Sequence, residues 1–210
     1  MADYSEEFGK FIAENKGKRK FKQTVELAIN FKGIDFTRQD NKINLDVVLP
    51  NGKGKVKKIA IFTSDRNLSE EARKNGIEVI DGADIPAIAA NAARLSSLLD
   101  YELIAQPALM PQVAKSLGQF LGPRNRMPRP LVGSAGMANM ANELNKRITI
   151  RNRGKNLPTV HCVVGNEDMD AAKLYENINE VMGSVTRKVG NNRIRSAYVK
   201  LTMSKPMRIA

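Results

Sequence analysis

Histidine and cysteine are almost missing from this 210-residue chain, which has one of each, His161 and Cys162. A single cysteine excludes a disulfide within the chain and suits a reducing compartment. In the alternating stretch around Val160, Cys162 and Val164 the two neighbours point to opposite faces, so they cannot share a metal ion. No other His or Cys is present to complete a ligand set, and the histidine has no evident nucleophile or carboxylate partner. Cys162 is therefore expected in the core and His161 on a polar face. Long apolar runs are missing too: no stretch approaches the roughly 20 residues that span a bilayer. The opening Met1-Ala2-Asp3-Tyr4-Ser5-Glu6-Glu7 lacks the basic start and apolar segment of a secretory leader. A cytoplasmic location without a membrane partner is the expectation. Phosphate-binding glycine loops are also absent. No Gly-x-Gly-x-x-Gly follows a strand, and Gly52-Lys53-Gly54-Lys55 has the wrong spacing.

Acidic residues stop altogether at Glu180, while Arg187, Lys188, Arg193, Arg195, Lys200, Lys205 and Arg208 continue. What is present follows from that imbalance. The formal charge is +12 and 42% of residues are hydrophobic, enough apolar material for a real core. A field this positive concentrates phosphate-bearing ligands. The charge is unevenly placed, with residues 1–55 and 151–210 together carrying +9 of it. The ends are the expected polyanion-binding part.

Two periodicities divide the chain. Near its ends, Val25, Leu27, Ile29 and Phe31 alternate with polar residues, as do Ile43, Leu45, Val47 and Leu49, then Val160, Cys162 and Val164, and last Val199, Leu201 and Met203. Period-two alternation predicts antiparallel strands with one covered face. Phe8, Phe11 and Ile12 mark a short covering helix, and Ala171, Leu174, Ile178 and Val181 a longer one capped by Asp168 or Asp170. In the middle, short apolar segments (Ile59–Phe62, Ile77–Ile80, Leu103–Ala105) alternate with helical patterns, including one from about Ile85 to Ser97, which predicts a parallel sheet covered on both faces. The expected architecture is an α+β outer domain, its antiparallel sheet covered by helices, built from 1–55 plus 151–210. A three-layer, Rossmann-like α/β domain, 56–150, is inserted into it. Ser64-Asp65 lies after the first central strand, where ligands gather in open α/β sheets, and is the one hint of catalysis. An enzyme acting on a phosphorylated or nucleic-acid substrate through the insert is thus the alternative reading.

Three segments carry more specific chemistry. In Leu117-Gly118-Gln119-Phe120-Leu121-Gly122-Pro123-Arg124-Asn125-Arg126-Met127-Pro128-Arg129-Pro130, a helix stops at a Gly122 C-cap. A stiff loop then presents three guanidinium groups on a short tether. In Lys16-Gly17-Lys18-Arg19-Lys20-Phe21-Lys22, five cationic residues surround one aromatic, an arrangement that neutralises phosphates by counterion release. Spacing leaves open whether Phe21 meets a ribose or base or plugs the core. In Ser196-Ala197-Tyr198-Val199-Lys200-Leu201-Thr202-Met203-Ser204, the residues Ser196, Tyr198, Lys200 and Thr202 alternate onto one face, where hydroxyls meet the 2′-OH groups of an RNA minor groove. Met203 is either an RNA contact at the strand end or a core residue.

The first segment resembles the signature of the L-one family of large-subunit ribosomal proteins, which form the mobile lateral stalk. Lys20-Phe21-Lys22-Gln23-Thr24-Val25-Glu26 resembles that family's entry into its first sheet strand, and 196–204 its closing strand. The chain departs from the pattern at Ser204-Lys205, where the family usually has a glycine before its proline. The resemblance covers nearly the whole chain and implies the same discontinuous layout, with no catalysis and no cofactor. It implies large-subunit rRNA as the partner and contact with exit-site tRNA as deacylated tRNA leaves. Repression of the protein's own mRNA and a monomeric free state are expected too. The RNA-facing residues expected are Lys18, Arg19, Lys20, Phe21, Thr24, Glu26, His161, Ser196, Lys200, Thr202, Met203 and Ser204.

Overall fold

The computed structural model describes residues 5–131, 137–152 and 157–210. In chain order the principal elements are α1 (Ser5–Asn15), β1 (Thr24–Phe31), β2 (Asn44–Val48), β3 (Lys58–Phe62), α2 (Arg66–Lys74) and β4 (Glu78–Ile80). Then come α3 (Ile85–Ala90), α4 (Ala92–Ser97), β5 (Tyr101–Ala105), α5 (Met110–Leu121), β6 (Arg129–Pro130) and α6 (Met137–Lys146). The chain closes with β7 (Arg147–Arg151), β8 (Thr159–Asn166), α7 (Ala171–Val189), β9 (Ile194–Leu201) and β10 (Met207–Arg208).

The chain forms two compact units, one made of residues up to Lys55 and from Lys146 onward, the other of Val56–Asn145. The second join thus falls about five residues before the Ile150–Arg151 position expected from sequence. The reason is β7. Its Ile148 and Ile150 are buried in the outer core, and its backbone pairs with β2, Leu45 opposite Ile150 and Val47 opposite Ile148. Lys146 and Arg147 move with it, so the outer unit has 24 Lys and Arg against 13 Asp and Glu, and the insert ten against nine.

In the outer unit an antiparallel sheet runs in the order β10-β9-β1-β8. The alternation of β1 sends Val25, Leu27, Ile29 and Phe31 to one core with Val160, Val164, Val199 and Leu201. α7 covers that face with Leu174, Ile178, Val181 and Val185, and α1 adds Phe8 and Ile12. Asp170 stands at the N-cap position of α7 but makes no side-chain cap bond. β2 does not join this sheet; with β7 it forms a separate two-stranded one, and Val47 with the flanking Ile43 and Leu49 enters the same core. Gly165 lets α7 approach β8 closely, since a side chain there would collide with Leu174 and Met169.

One buried amide ties these parts. Asn177 in α7, fully buried, donates to the carbonyls of Gly52 (2.9 Å) and Val164 (2.8 Å) and accepts from the Asn51 amide at 3.1 Å. Removing it strands two carbonyls and one N–H in the interior. Asn177→Ala is expected to lower stability by about 2–4 kcal/mol, measured by urea unfolding of the two proteins side by side. A change under half a unit would mean water replaces the amide.

In the insert, a parallel sheet in the order β4-β3-β5-β6 has a core on each face. Ala60 and Phe62 of β3 pack with Ile85, Val113, Leu117 and Leu121 from α3 and α5. Ile59 and Ile61 pack on the other side with Ala72 and Leu144 from α2 and α6. The helix expected from Ile85 to Ser97 is broken at Asn91, whose side chain accepts from the Ala93 and Arg94 amides and so starts α4 afresh. Here an N-cap outweighs the continuing apolar pattern.

Candidate nucleic-acid interface

The cationic loop 16–22 leaves α1 fully exposed and enters β1 at Thr24. Phe21 is 49% exposed, so it does not plug the core. Lys22 is the member of the cluster that is tied down, its ammonium 2.5 Å from the Asp168 carboxylate, which raises the lysine's pKa and lowers the aspartate's. Lys18, Arg19 and Lys20 remain exposed beside it.

β9 ends at Leu201, so Thr202 and Met203 belong to a turn and not to the strand expected from alternation. That moves Met203 out of the core register, to 57% exposure. The turn is closed by Ser204. Its hydroxyl accepts from the Leu201 amide (2.9 Å) and donates to the Lys205 carbonyl (2.9 Å). Asn125 alone among the described non-glycine residues has a positive φ, so this turn makes no demand for glycine at 204. The Thr202 hydroxyl accepts from the Thr24 amide at 3.0 Å and lies 3.4 Å from the Thr24 carbonyl, to which it donates. This stitches the turn to the start of β1, beneath the cationic loop.

Substitutions at 202 and 203 therefore separate cleanly. Met203→Ala removes only an exposed thioether, and is expected to weaken RNA binding by about 1 kcal/mol with an unchanged melting temperature. Thr202→Ala leaves the Thr24 N–H without its acceptor and should also cost about 1–2 kcal/mol of stability. Parallel titration and melting of the two variants tests the distinction; a melting loss for Met203→Ala would return that side chain to the core.

On the sheet's polar face Glu26 lies opposite Lys200, and Ala28 lies between His161 and Tyr198. His161 is exposed and Glu26 and Lys200 are half-buried. Ser196 differs from the expectation. It is only 7% exposed, and its hydroxyl accepts from the Asn30 side-chain NH2 at 3.0 Å. It lies opposite Asn30 in the β1–β9 register, and its oxygen is already engaged inside the sheet.

An open groove of about 590 Å³ runs beside the turn, lined among others by Phe11, Lys18, Arg19, Met203, Lys205 and Met207. Gln23 also borders it. Sequence reading passed over Gln23, although a signal was present: it shares the parity of Val25, Leu27 and Ile29, a polar residue in the apolar register. It is buried, and Glu167, from the segment after β8, is buried against it. Cys162 also lies in the core, where burial pushes its thiol pKa up to about 12 and keeps it protonated and inert.

Two arginines of the 124–129 loop are engaged within the insert, although Arg124 stays exposed. Arg124 donates to the Phe120 carbonyl at 2.9 Å and lies over the Phe120 ring, 4.1 Å from its centroid. Arg126 pairs with Glu102 at 3.1 Å. Gly122 is the C-cap of α5, as expected, in a right-handed conformation (φ −58, ψ −57), and the left-handed residue beyond it is Asn125, with φ 55. At the ends of β3 and β5, where an open sheet would hold a ligand, the protein's own side chains meet. The Thr63 hydroxyl donates to Gln106 at 3.1 Å, Asp65 caps α2 through the Asn67 amide, and Ser64 reaches Asp81 at 3.4 Å.

The fold is that of a two-unit protein whose outer unit displays an exposed cationic loop beside a hydroxyl-bearing turn, a surface suited to a polyanion. Residues 12–205 match the family described as ribosomal protein L1p/L10e. The chain is 40% identical over 202 residues to the large ribosomal subunit protein uL1 of Thermoplasma acidophilum, covering 94% of this chain and 92% of that one. It is 39% identical to that of Thermococcus kodakarensis (91% and 89% covered) and 35% identical to that of Methanothrix thermoacetophila over the full length of both. The chain belongs to the ribosomal protein L1p/L10e family, a family of ribosomal proteins and not of enzymes.

Proposed function

We propose that this protein binds large-subunit rRNA at the lateral stalk through the outer unit. The cationic loop 16–22, the entry to β1 and the 201–205 turn form the contact. The observation that carries this reading is the stitching of Thr202 to Thr24, which joins the two sequence segments that resemble the family's RNA-binding surface. Lys18, Arg19, Lys20 and Lys200 neutralise phosphates, Phe21 and Met203 cover a ribose or base, and Thr202 and Ser204 present polar atoms to the groove edge. Thr24, Glu26 and His161 border the same face. Ser196 supports β9 from inside. On the ribosome, in the cytoplasm, the insert moves with the stalk as deacylated tRNA leaves the exit site. Free protein is a monomer that also recognises its own mRNA through a stretch resembling the rRNA site, and represses its translation.

Titration against a transcript of the lateral-stalk rRNA segment tests the central claim: saturable binding is expected, with a large excess over an unrelated duplex of equal length. If about 4–6 phosphates are neutralised, log K against log salt falls with a slope of about −3 to −5. A flat salt response would reject the cationic loop as the main contact.

A further inference from the structure

We propose that Gln23 is a positioning residue for RNA binding, and that with Glu167 it forms a buried clamp that presets the turn carrying Met203. This rests on the reading of that turn as RNA-facing.

Gln23 is 2% exposed and Glu167 5%, so Gln23 borders the groove with almost none of its surface and neither side chain supplies a principal contact. The two hydrogens of the Gln23 amide go to separate elements, one to the Asn15 carbonyl at the end of α1 (3.0 Å) and one to the Glu167 carboxylate (3.0 Å). Its carbonyl oxygen accepts from the Met203 amide at 3.1 Å. The backbone adds a fourth tie, Glu167 N–H donating to the Gln23 carbonyl at 3.0 Å. Only an amide both donates twice and accepts at this position. A carboxylate would set two negative charges together, and an apolar side chain would satisfy none of the three partners.

The consequence lies in what is held. Met203 projects from a turn whose backbone is fixed on three sides: Leu201 by the Ser204 hydroxyl, Thr202 by Thr24, and Met203 by Gln23. The same amide fixes Asn15, directly before the cationic loop begins. One buried side chain thereby sets the spacing between the two halves of the surface. Ordering them before RNA arrives removes that entropy cost from the binding step.

The test is a charge-swap series titrated against the lateral-stalk rRNA transcript, with melting temperatures recorded in parallel. Gln23→Leu is expected to lower affinity about tenfold while the salt slope stays unchanged, because the phosphate-binding side chains remain. Gln23→Glu is expected to be weak as well. Adding Glu167→Gln to it should regain part of the loss: the new carboxylate accepts from both the Met203 amide and Gln at 167, while the Asn15 carbonyl stays without its donor. Should Gln23→Leu fail to fold, Gln23→Glu against the double variant carries the same contrast. Wild-type affinity in Gln23→Leu or Gln23→Glu overturns the proposal. So does a double variant that recovers its melting temperature but not its affinity. Failure of the unaltered protein to bind would instead reject the RNA-binding reading, and this clamp with it.

Discussion

Replacing Lys18, Arg19 and Lys20 together by glutamine is expected to weaken rRNA binding about 100-fold near physiological salt and to flatten the salt slope by about 2–3. The three side chains are exposed, and among the described residues no ion pair diverts them, whereas Lys22 is committed to Asp168. Each neutralised phosphate releases a condensed counterion, and that release drives binding in proportion to the number of contacts. Stability should change little, because exposed charges in a solvated loop contribute little to folding. The check is a set of titrations at several salt concentrations, with thermal melting as control. A loss of affinity with an unchanged slope would mean that these side chains shape the loop and do not meet phosphates.

The second large effect is a division of labour. Joining Lys55 to Lys146 through a short Gly/Ser linker, with 56–145 removed, should leave a folded protein that binds the rRNA segment within about tenfold of the intact chain. The outer core draws all its buried residues from 8–49 and 148–209, and the two cores of the insert draw theirs from 59–144. Neither set needs the other. The joins are also neighbours, for the Leu49 amide donates to the Lys146 carbonyl at 3.0 Å, so a short linker closes the gap. Circular dichroism and titration of the truncated protein check both halves. A folded truncation with almost no affinity would move recognition to Arg124, Arg126 and Arg129. Their engagement with Phe120, Glu102 and the β5–β6 pairing argues against that. Stalk movement on the ribosome, in contrast, should fail in the truncated protein.

Much of this was legible in the residues because the relevant rules are local. Alternation at spacing two placed Val25, Leu27 and Ile29 in one core. Helical spacing did the same for Val113, Leu117 and Leu121, and the change between the two periods marked the insert. Charge counting needs no structure at all, and the resemblance of three segments to one family rested on residue order alone. The strand β7 was not legible, for an equally local reason. Five residues of Arg147–Arg151 alternate too briefly to reveal whether they close the insert or reopen the outer unit, and pairing with β2 decides it.

The sequence by itself determined the family, the two architectures and the placement of positive charge at the ends of the chain. Tertiary structure alone decided which polar side chains are free to meet a partner. Ser196 and Arg126 read as exposed contacts until Asn30 and Glu102 were found bonded to them. Gln23 read as unremarkable until Glu167, 144 residues away, closed on it. A hydrogen bond consumes a donor's availability wherever its acceptor lies in the chain, and spacing between neighbours carries no record of an acceptor that distant.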